Sequence, residues 1–351
     1  MSNRYGCICF ALPAKLLKHL ADKSSGADRE RLHSQIHHSA RLRAQRAVQS
    51  QDRPAPKRGK QALHRQVFDA QGQTFLPGQL LRDEDDPPSH DKEANDAYKN
   101  IGIALQFYQS VLGRDSVDGA GMRIDTTVHY GVRFVNAMWT GEQMIVGDGD
   151  GQHVSGLARS LGVIAHELSH GVTQHIVRGG LGVVKVQGQA PALKGEAGAL
   201  NESFSDVFAS MIKQWHANED AQGADWLLGE DVLEPHAGRA IRSLKEPGNT
   251  RLTWSGDDQI KDFSRYRPTD DAHKASGIAN HAFYVAATGA GGKSWETLGA
   301  VWLKAFDRLH ARATFLEAAH ATIEVAAALH GKRSAAHEAV KAGWKKVKVL
   351  A

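Results

Sequence analysis

Residues 161–174 read LGVIAHELSHGVTQ, and this stretch decides how the rest of the chain is interpreted. His166 and His170 are four positions apart, so on a helix they lie on one face and can bind one zinc ion together. Glu167 follows the first histidine, where its carboxylate can take a proton from a metal-bound water. Apolar residues surround the histidines, which favours a helix packed inside the protein over a solvated one.

A second segment, residues 198–206 (GALNESFSD), opens another predicted helix after a loop. A catalytic zinc usually has three protein ligands and one open position, and Glu202 would complete a set with the two histidines. Asp206 lies one turn further along, where it can accept the free N–H of a ligand histidine. We expect Asn201 to lie in the same outer layer. Without the histidine pair, both acidic residues would be read as ordinary surface carboxylates.

Composition limits the classes of function. The chain has 351 residues, of which 41% are hydrophobic and 23% charged, as in ordinary soluble globular proteins. Residues 1–60 contain 13 Lys and Arg against 4 Asp and Glu, but aromatic residues do not alternate with the basic ones. We therefore expect no nucleic-acid partner. No stretch reaches the ~18 apolar residues of a membrane span, and we expect no membrane partner and no Sec signal peptide.

The chain divides into three parts. Residues 12–22 and 29–48 are predicted helices, and residues 51–60 (QDRPAPKRGK) have the composition of an exposed linker. Residues 66–81 and 126–146 are rich in predicted β-structure, with a helix at 91–112 between them. The remainder is mainly helical, with predicted helices at 155–174, 198–218, 277–287, 294–310, 314–330 and 334–347. This order predicts an α+β fold, with parts at 1–50 (linker to about 60), 61–178 and 179–351.

With these motifs, residues 67–351 resemble the thermolysin family of metalloproteases, the Glu-zincins. The resemblance implies two domains, a β-rich N-terminal half and a helical C-terminal half, with the active-site cleft and the zinc helix between them. Residues 135–139 (VNAMW) and 147–151 (GDGDG) look like the family's edge strand and turn. There, Asn136 and the backbone of Ala137 would hold the main chain of the substrate by β-addition.

The resemblance also implies roles for residues further along the chain. His273 matches the histidine that stabilises the tetrahedral intermediate, and either Asp270 or Asp271 would orient it. Arg242 matches the arginine that holds a substrate carbonyl. Cleavage before bulky apolar residues is implied by three residues at the wall of the S1′ pocket: Leu157, Val163 and Ile241.

Two departures from the family pattern stand out. The family has a tyrosine shortly before the second zinc segment, but this chain has none between Tyr130 and Tyr266, and Leu193 falls near its place. The resemblance also implies a paired calcium site, and this chain departs from its ligand pattern. Its remaining acidic residues are Asp225 and Glu230, whereas carboxylates are replaced by Gly162, Lys213 and Leu227. A hard cation needs several oxygens, so we expect the paired calcium site to be absent; a single weak site elsewhere stays open.

The N-terminal segment resembles the propeptide of the protealysin-like branch, which is removed by self-cleavage and would act as an intramolecular inhibitor. Ala11-Leu12-Pro13 is a loose match to the motif of that branch, and we expect cleavage between Arg46 and Lys60. Two interpretations of Cys7 and Cys9 stay open: a thiolate caps the zinc in the precursor, or both are small packing residues. Because they are only two residues apart, we expect no disulfide between them.

These features predict a zinc metalloendopeptidase, made as a self-inhibited precursor, that cleaves peptides and proteins with Glu167 as general base. The alternative is a catalytically impaired zinc-binding scaffold or regulator. A zinc aminopeptidase would need an acidic group for the free amine of the substrate, and no such motif is found. Lack of a signal implies synthesis in the cytoplasm, with leaderless release as a possible route out of the cell.

Overall fold

A computed structural model describes residues 10–49, 63–184 and 192–351. The strands are β1 (Arg65–Asp69), β2 (Gln79–Arg82), β3 (Ile124–Val128), β4 (Ala137–Trp139), β5 (Met144–Val146), β6 (Val183–Val184), β7 (Ala192–Leu193), β8 (Leu227–Leu228) and β9 (Arg242–Ser243). The helices are α1 (Ala14–Lys23), α2 (Gly26–Gln49), α3 (Lys92–Leu112), α4 (Leu161–Ile176), α5 (Gly195–Ala217), α6 (Ala272–Ala290), α7 (Ala300–Phe306), α8 (Phe315–His330) and α9 (Ala335–Lys346). The linker at 51–60, Cys7 and Cys9 lie outside the described residues.

The N-terminal half is built on a five-stranded mixed sheet with strand order β2-β1-β3-β5-β4. Strands β1, β3 and β5 run parallel, while β2 and β4 are antiparallel to their neighbours. The short strand β4 stands at one edge, so one side of its backbone is available for pairing with another segment. Helix α3 packs against β1 and β3 and joins the sheet to the zinc helix α4.

The C-terminal half is helical, as predicted, and α4 connects the two halves. Helix α4 packs against α3 and β4 on the N-terminal side and against α5 on the C-terminal side. Helix α5 in turn packs against α6, which packs against α9. The mixed α+β, two-domain architecture expected from the sequence is therefore confirmed. Among the described residues, no helix has both the length and the apolar character that crossing a membrane requires.

Several helix boundaries differ from those predicted, and capping side chains explain two of them. Helix α4 begins at Leu161 rather than 155 because the side chain of Ser160 accepts the backbone N–H of Val163. Helix α6 begins at Ala272 rather than 277 because Asp271 caps it through the N–H of His273. The predicted helix 294–310 is instead a π-helical turn at Trp295–Gly299 followed by α7.

The leader folds as two helices that pack on the body of the protein. Pro13 is the N-cap of α1, where its fixed φ angle costs nothing and its missing N–H is not needed. The apolar face of α1 is fully buried in the main hydrophobic core through Leu16, Leu17 and Leu20. Basic residues of the leader pair with acidic residues of the body; Arg31, for example, contacts buried Asp150 at 3.0 Å.

His129 ties the start of α3 to the Gly-Asp-Gly turn after β5. Its Nε2 lies 2.8 Å from Asp91, the N-cap residue of α3, and its Nδ1 lies 2.8 Å from Asp148 in the turn. The hydrogen bonds to Asp148 and Asp91 outweigh partial burial and raise the pKa of His129 to about 9. The protonated imidazole therefore links two carboxylates at neutral pH.

Candidate metal centre and active-site cleft

Three buried side chains converge between α4 and α5. The Nε2 atoms of His166 and His170 lie 3.1 Å apart, on the same face of α4 as their spacing predicts. Each lies 3.6 Å from one carboxylate oxygen of Glu202 on α5. In the described part of the chain, these three residues form the one group of histidine, cysteine and acidic side chains whose atoms are close enough to hold a metal ion.

The donor set fits a zinc ion. Glu202 is fully buried, yet neither of its carboxylate oxygens has a hydrogen-bond partner among the described residues. A buried carboxylate without hydrogen bonds is costly unless a cation compensates it. Two imidazole nitrogens and one carboxylate are the ligands of many catalytic zinc sites that keep a position open for water.

A layer of hydrogen-bonded groups fixes the candidate ligands. The Nδ1 of His166 lies 2.9 Å from Asp206, and the Nδ1 of His170 lies 3.0 Å from the side-chain oxygen of Asn201. Asp206 also accepts hydrogen bonds from Arg242 at 3.0 Å and from Asn280 at 2.8 Å. These contacts leave the Nε2 atoms of both histidines directed at the metal position, which is how outer groups usually orient metal ligands.

Neighbouring charge keeps Asp206 ionised, whereas burial keeps His166 neutral. Burial alone raises the pKa of Asp206, but the charge of Arg242 and the hydrogen bond from His166 outweigh it and lower the pKa to about 2. Burial lowers the pKa of His166 to about 4, although Asp206 opposes this shift. A neutral imidazole is the form that binds zinc.

Glu167 lies beside the first ligand on α4 and is fully buried. The backbone N–H of Trp139, on strand β4, donates a 2.6 Å hydrogen bond to its Oε2. The sheet edge and the zinc helix are thus joined at the carboxylate itself. The contact with Trp139 holds the Glu167 carboxylate against the edge strand β4.

His273, near the start of α6, approaches the centre from the other side. Its Nε2 lies 3.3 Å from Glu202, and its Nδ1 lies 3.0 Å from Asp271. Burial lowers the pKa of His273, but the charges of Glu202 and Asp271 outweigh it and raise the pKa to about 9. Of the two candidate aspartates, Asp271 is therefore the one beside His273, whereas Asp270 pairs with Lys274 at 2.6 Å.

The cleft contains a segment of the leader, which pairs with the edge strand. The side chain of Asn136 accepts the N–H of Leu12 at 2.9 Å and donates to its carbonyl at 3.0 Å. The N–H of Ala11 donates to the carbonyl of Ala137 at 3.1 Å. Two residues that were predicted to hold the main chain of a substrate therefore hold the main chain of the leader.

The carbonyl groups of the same segment point at the other predicted site residues. The carbonyl of Ala11 accepts a 3.4 Å hydrogen bond from Arg242. The carbonyl of Phe10 lies 3.3 Å from the Nε2 of His273. Phe10 and Ala11 are only 2% and 1% exposed, so the segment fills the cleft rather than lying over it.

The predicted S1′ residues Leu157, Val163 and Ile241 are all buried in the main core, which also contains Ala11. Leu193, near the place of the missing tyrosine, packs against Ala272 at the start of α6. It has no hydrogen-bonding side chain, so it cannot replace a phenolic donor.

Lys213 lies where the family resemblance implied a calcium ligand. Its ammonium pairs with Glu230, donates to the carbonyl of Leu227 at 2.8 Å and lies 3.6 Å from Asp225. Gly162 is next to the side chain of Lys213. A lysine cation thus contacts the oxygens that remain from the predicted site, which disfavours a divalent ion there.

Comparison with known proteins identifies the family. The family model described as "Thermolysin metallopeptidase, catalytic domain" matches residues 37–174. The family model described as "Thermolysin metallopeptidase, alpha-helical domain" matches residues 192–349. The chain is 34% identical over 328 residues to "Protease PrtS" of Photorhabdus, a match that covers 89% of this chain and 85% of that protein. The chain belongs to the thermolysin family.

Other relatives of this thermolysin-family chain agree. It is 34% identical to an "Extracellular metalloprotease" of Pectobacterium carotovorum, over 84% of this chain and 83% of that protein. A solved structure of the precursor of protealysin, a metalloproteinase from Serratia proteamaculans, superposes with a TM-score of 0.82. Its sequence is 30% identical, and the match covers 97% of this chain and 100% of that one. The predicted family is confirmed, and the protein is a metalloendopeptidase.

Part of the site has little or no signal in the sequence. The backbone N–H of Trp139 and the side chain of Asn280 carry no motif of their own, since both act through position in the fold. The place of residues 10–12 in the cleft was visible only as the loose match at Ala11-Leu12-Pro13.

Proposed function

We propose that this metalloendopeptidase binds one zinc ion through His166, His170 and Glu202 and is made as a precursor silenced by its own N-terminal segment. The observation that carries the proposal is the segment Phe10–Leu12, whose main chain occupies the cleft. It contacts Asn136, Ala137, Arg242 and His273, the residues that the sequence assigned to substrate.

Zinc at this centre would polarise a bound water and the scissile carbonyl. Glu167 would act as general base, because it is buried beside a ligand and the backbone N–H of Trp139 holds its carboxylate. It takes a proton from the attacking water and later delivers one to the leaving amine. The scaffold alternative is disfavoured, since metal binding by the other three residues does not require this carboxylate.

The remaining contacts position the peptide and stabilise developing charge. A protonated His273, held by Asp271, can donate to the oxyanion that forms on the scissile carbonyl. Arg242 binds the next carbonyl along the chain, and Asn136 with Ala137 adds the substrate as an extra strand on β4. Without the family tyrosine, His273, whose Nε2 lies 3.3 Å from the Phe10 carbonyl, would carry more of the stabilisation.

The leader is proposed to inhibit by competing with substrate. We propose that residues 1–50 are the propeptide, that cleavage occurs between Arg46 and Lys60, and that 61–178 and 179–351 are the two domains of the mature enzyme. The burial of α1 and the pairing of the leader with β4 support this division. Calcium is not expected at the Lys213 cluster.

The preference for bulky apolar residues after the cleaved bond is also proposed. The predicted wall residues are Leu157, Val163 and Ile241, and each is a buried aliphatic side chain of the main hydrophobic core. An apolar pocket gains about 0.8 kcal/mol per buried CH₂, so leucine or phenylalanine should be preferred to alanine there.

The test uses processed protein of measured zinc content with internally quenched peptides that vary only in the residue after the cleaved bond. We expect the leucine and phenylalanine peptides to be cleaved at least 10-fold faster than the alanine peptide. Glu167→Gln should bind zinc normally and lose about 10²–10⁴ in rate. Equal activity in wild type and Glu167→Gln contradicts the mechanism, and no turnover by zinc-loaded wild type favours the scaffold alternative.

A further inference from the structure

We propose that the Phe10–Ala11 peptide bond is itself a cleavage site of the enzyme that contains it. The proposal rests on the proposed function and goes beyond it, because that function places processing at residues 46–60. It identifies the leader as a bound substrate in productive register, rather than a plug that only blocks access.

The register follows from which atoms of the leader meet which residues. The carbonyl next to His273 belongs to Phe10, and His273 is assigned to the oxyanion of the bond being cleaved. The next carbonyl, that of Ala11, accepts a hydrogen bond from Arg242. The scissile bond in this arrangement is therefore the one that joins Phe10 to Ala11.

The contacts of the following residues agree with the same register. The N–H of Ala11 donates to the carbonyl of Ala137. The N–H of Leu12 donates to the side chain of Asn136, and the carbonyl of Leu12 accepts from it. Every backbone group from the Phe10 carbonyl to the Leu12 carbonyl thus has a partner that the proposed mechanism assigns to substrate.

The chemistry of the step balances with water as the only co-reactant. The water oxygen adds to the carbonyl carbon of Phe10, and the bond from that carbon to the Ala11 nitrogen breaks. Glu167 takes one proton from the water and passes it to the leaving nitrogen, and the second proton of the water follows to the same nitrogen as the intermediate collapses. The products are a carboxylate on Phe10 and an ammonium on Ala11, which together contain all the atoms of one water molecule.

Both new ends stay in place after cleavage. Phe10 is packed against Phe134 in a small buried cluster with Tyr130, and α1 anchors the other side through its buried leucines. Because the amine cannot diffuse away, the bond can re-form, and the cleft stays covered in either state. Cleaved and intact leaders should therefore coexist in the precursor.

The experiment incubates the zinc-loaded precursor in oxygen-18 water and maps residue 10 by mass spectrometry after denaturation. We expect oxygen-18 at Phe10, in the free carboxylate or in the re-formed peptide bond, and a fraction of chains with Ala11 as a new N-terminus. The control is the Glu167→Gln precursor, in which labelling should fall by at least 10². When active processed enzyme is added to that variant, the bond should stay intact, because it is buried.

A second readout does not depend on turnover. In the metal-free Glu167→Gln precursor, the amide hydrogens of Ala11 and Leu12 should exchange roughly 100-fold more slowly than those of an unstructured chain. Asn136→Ala should remove the protection of Leu12. Free exchange at both amides overturns the register.

The outcomes separate this inference from the proposed function. Processed enzyme that cleaves an added peptide, combined with a precursor that shows neither label nor cleavage at Phe10, overturns the inference alone. Processed enzyme that cleaves no peptide refutes the proposed function first. Labelling that is equal in wild type and Glu167→Gln also overturns the inference, since the enzyme's own carboxylate would not be responsible.

Discussion

Gln35, on leader helix α2, offers a way to loosen the leader without changing the mature enzyme. Its side-chain amide donates to the carbonyl of Arg133 at 2.6 Å and accepts the N–H of Val135 at 2.9 Å. Gln35 and Val135 are both buried. Gln35→Ala would remove the partner of the buried N–H of Val135 and of the part-buried carbonyl of Arg133 while the leader stays docked.

The magnitude follows from those two groups. An unsatisfied buried hydrogen-bonding group costs about 1–3 kcal/mol. Allowing for partial rescue by water, we expect the docked state to lose about 1.5–3 kcal/mol. At 1.4 kcal/mol for each factor of ten, the uncovered fraction of the precursor should rise about 10- to 150-fold.

The assay is the initial rate of quenched-peptide hydrolysis by freshly purified precursor, together with the rate at which the leader is lost. Both should rise in Gln35→Ala. Lys18→Ala is the matched control, because Lys18 is an exposed leader residue whose partner, Asp22, lies on the same helix. Once processed, both variants should show the wild-type kcat/KM. If the Gln35→Ala precursor hydrolyses the peptide at the wild-type rate, docking of the leader does not determine how inactive the precursor is.

Three further predictions concern the body of the protein. Asp206→Asn should weaken zinc binding by roughly 10- to 100-fold in a competitive chelator titration, because it removes the charge next to the Nδ1 of His166. A calcium chelator should leave the midpoint of thermal unfolding unchanged. Lys213→Met should lower the free energy of unfolding, measured in urea, by about 3 kcal/mol, because Glu230 loses its cation. His129→Asn should lower the free energy of unfolding by about 2 kcal/mol at pH 6. This difference from wild type should vanish as pH rises through about 9, where wild-type His129 loses its proton. A constant difference across that range would contradict the assigned pKa.

The zinc ligands were predictable because each belongs to a short motif with a physical requirement. The spacing of His166 and His170 fixes a common helix face whatever the rest of the chain does. Glu202 and Asp206 share a helix face in the same way. The relative placement of the two residues within each pair could therefore be predicted from their spacing. The structure adds the distance between α4 and α5, which no local pattern contains.

The remaining features depend on contacts between residues far apart in sequence. Phe10 and His273 are 263 positions apart, and nothing in the pattern of either segment indicates that they meet. The choice of Asp271 over Asp270 depended on where α6 begins, and helix starts are among the least reliable sequence inferences. The N–H of Trp139 belongs to the backbone, which all residues share, so its role could not have been read from residue type.

The central claim is that one zinc ion, held by His166, His170 and Glu202, lies directly beneath the leader segment Phe10–Leu12. The most direct measurement is a crystal structure of the Glu167→Gln precursor with anomalous diffraction recorded on both sides of the zinc absorption edge. We predict a single zinc peak within bonding distance of those three side chains, with the carbonyl of Phe10 beside it. A zinc-saturated crystal with no peak at the three side chains, or with the leader away from the cleft, would contradict the account.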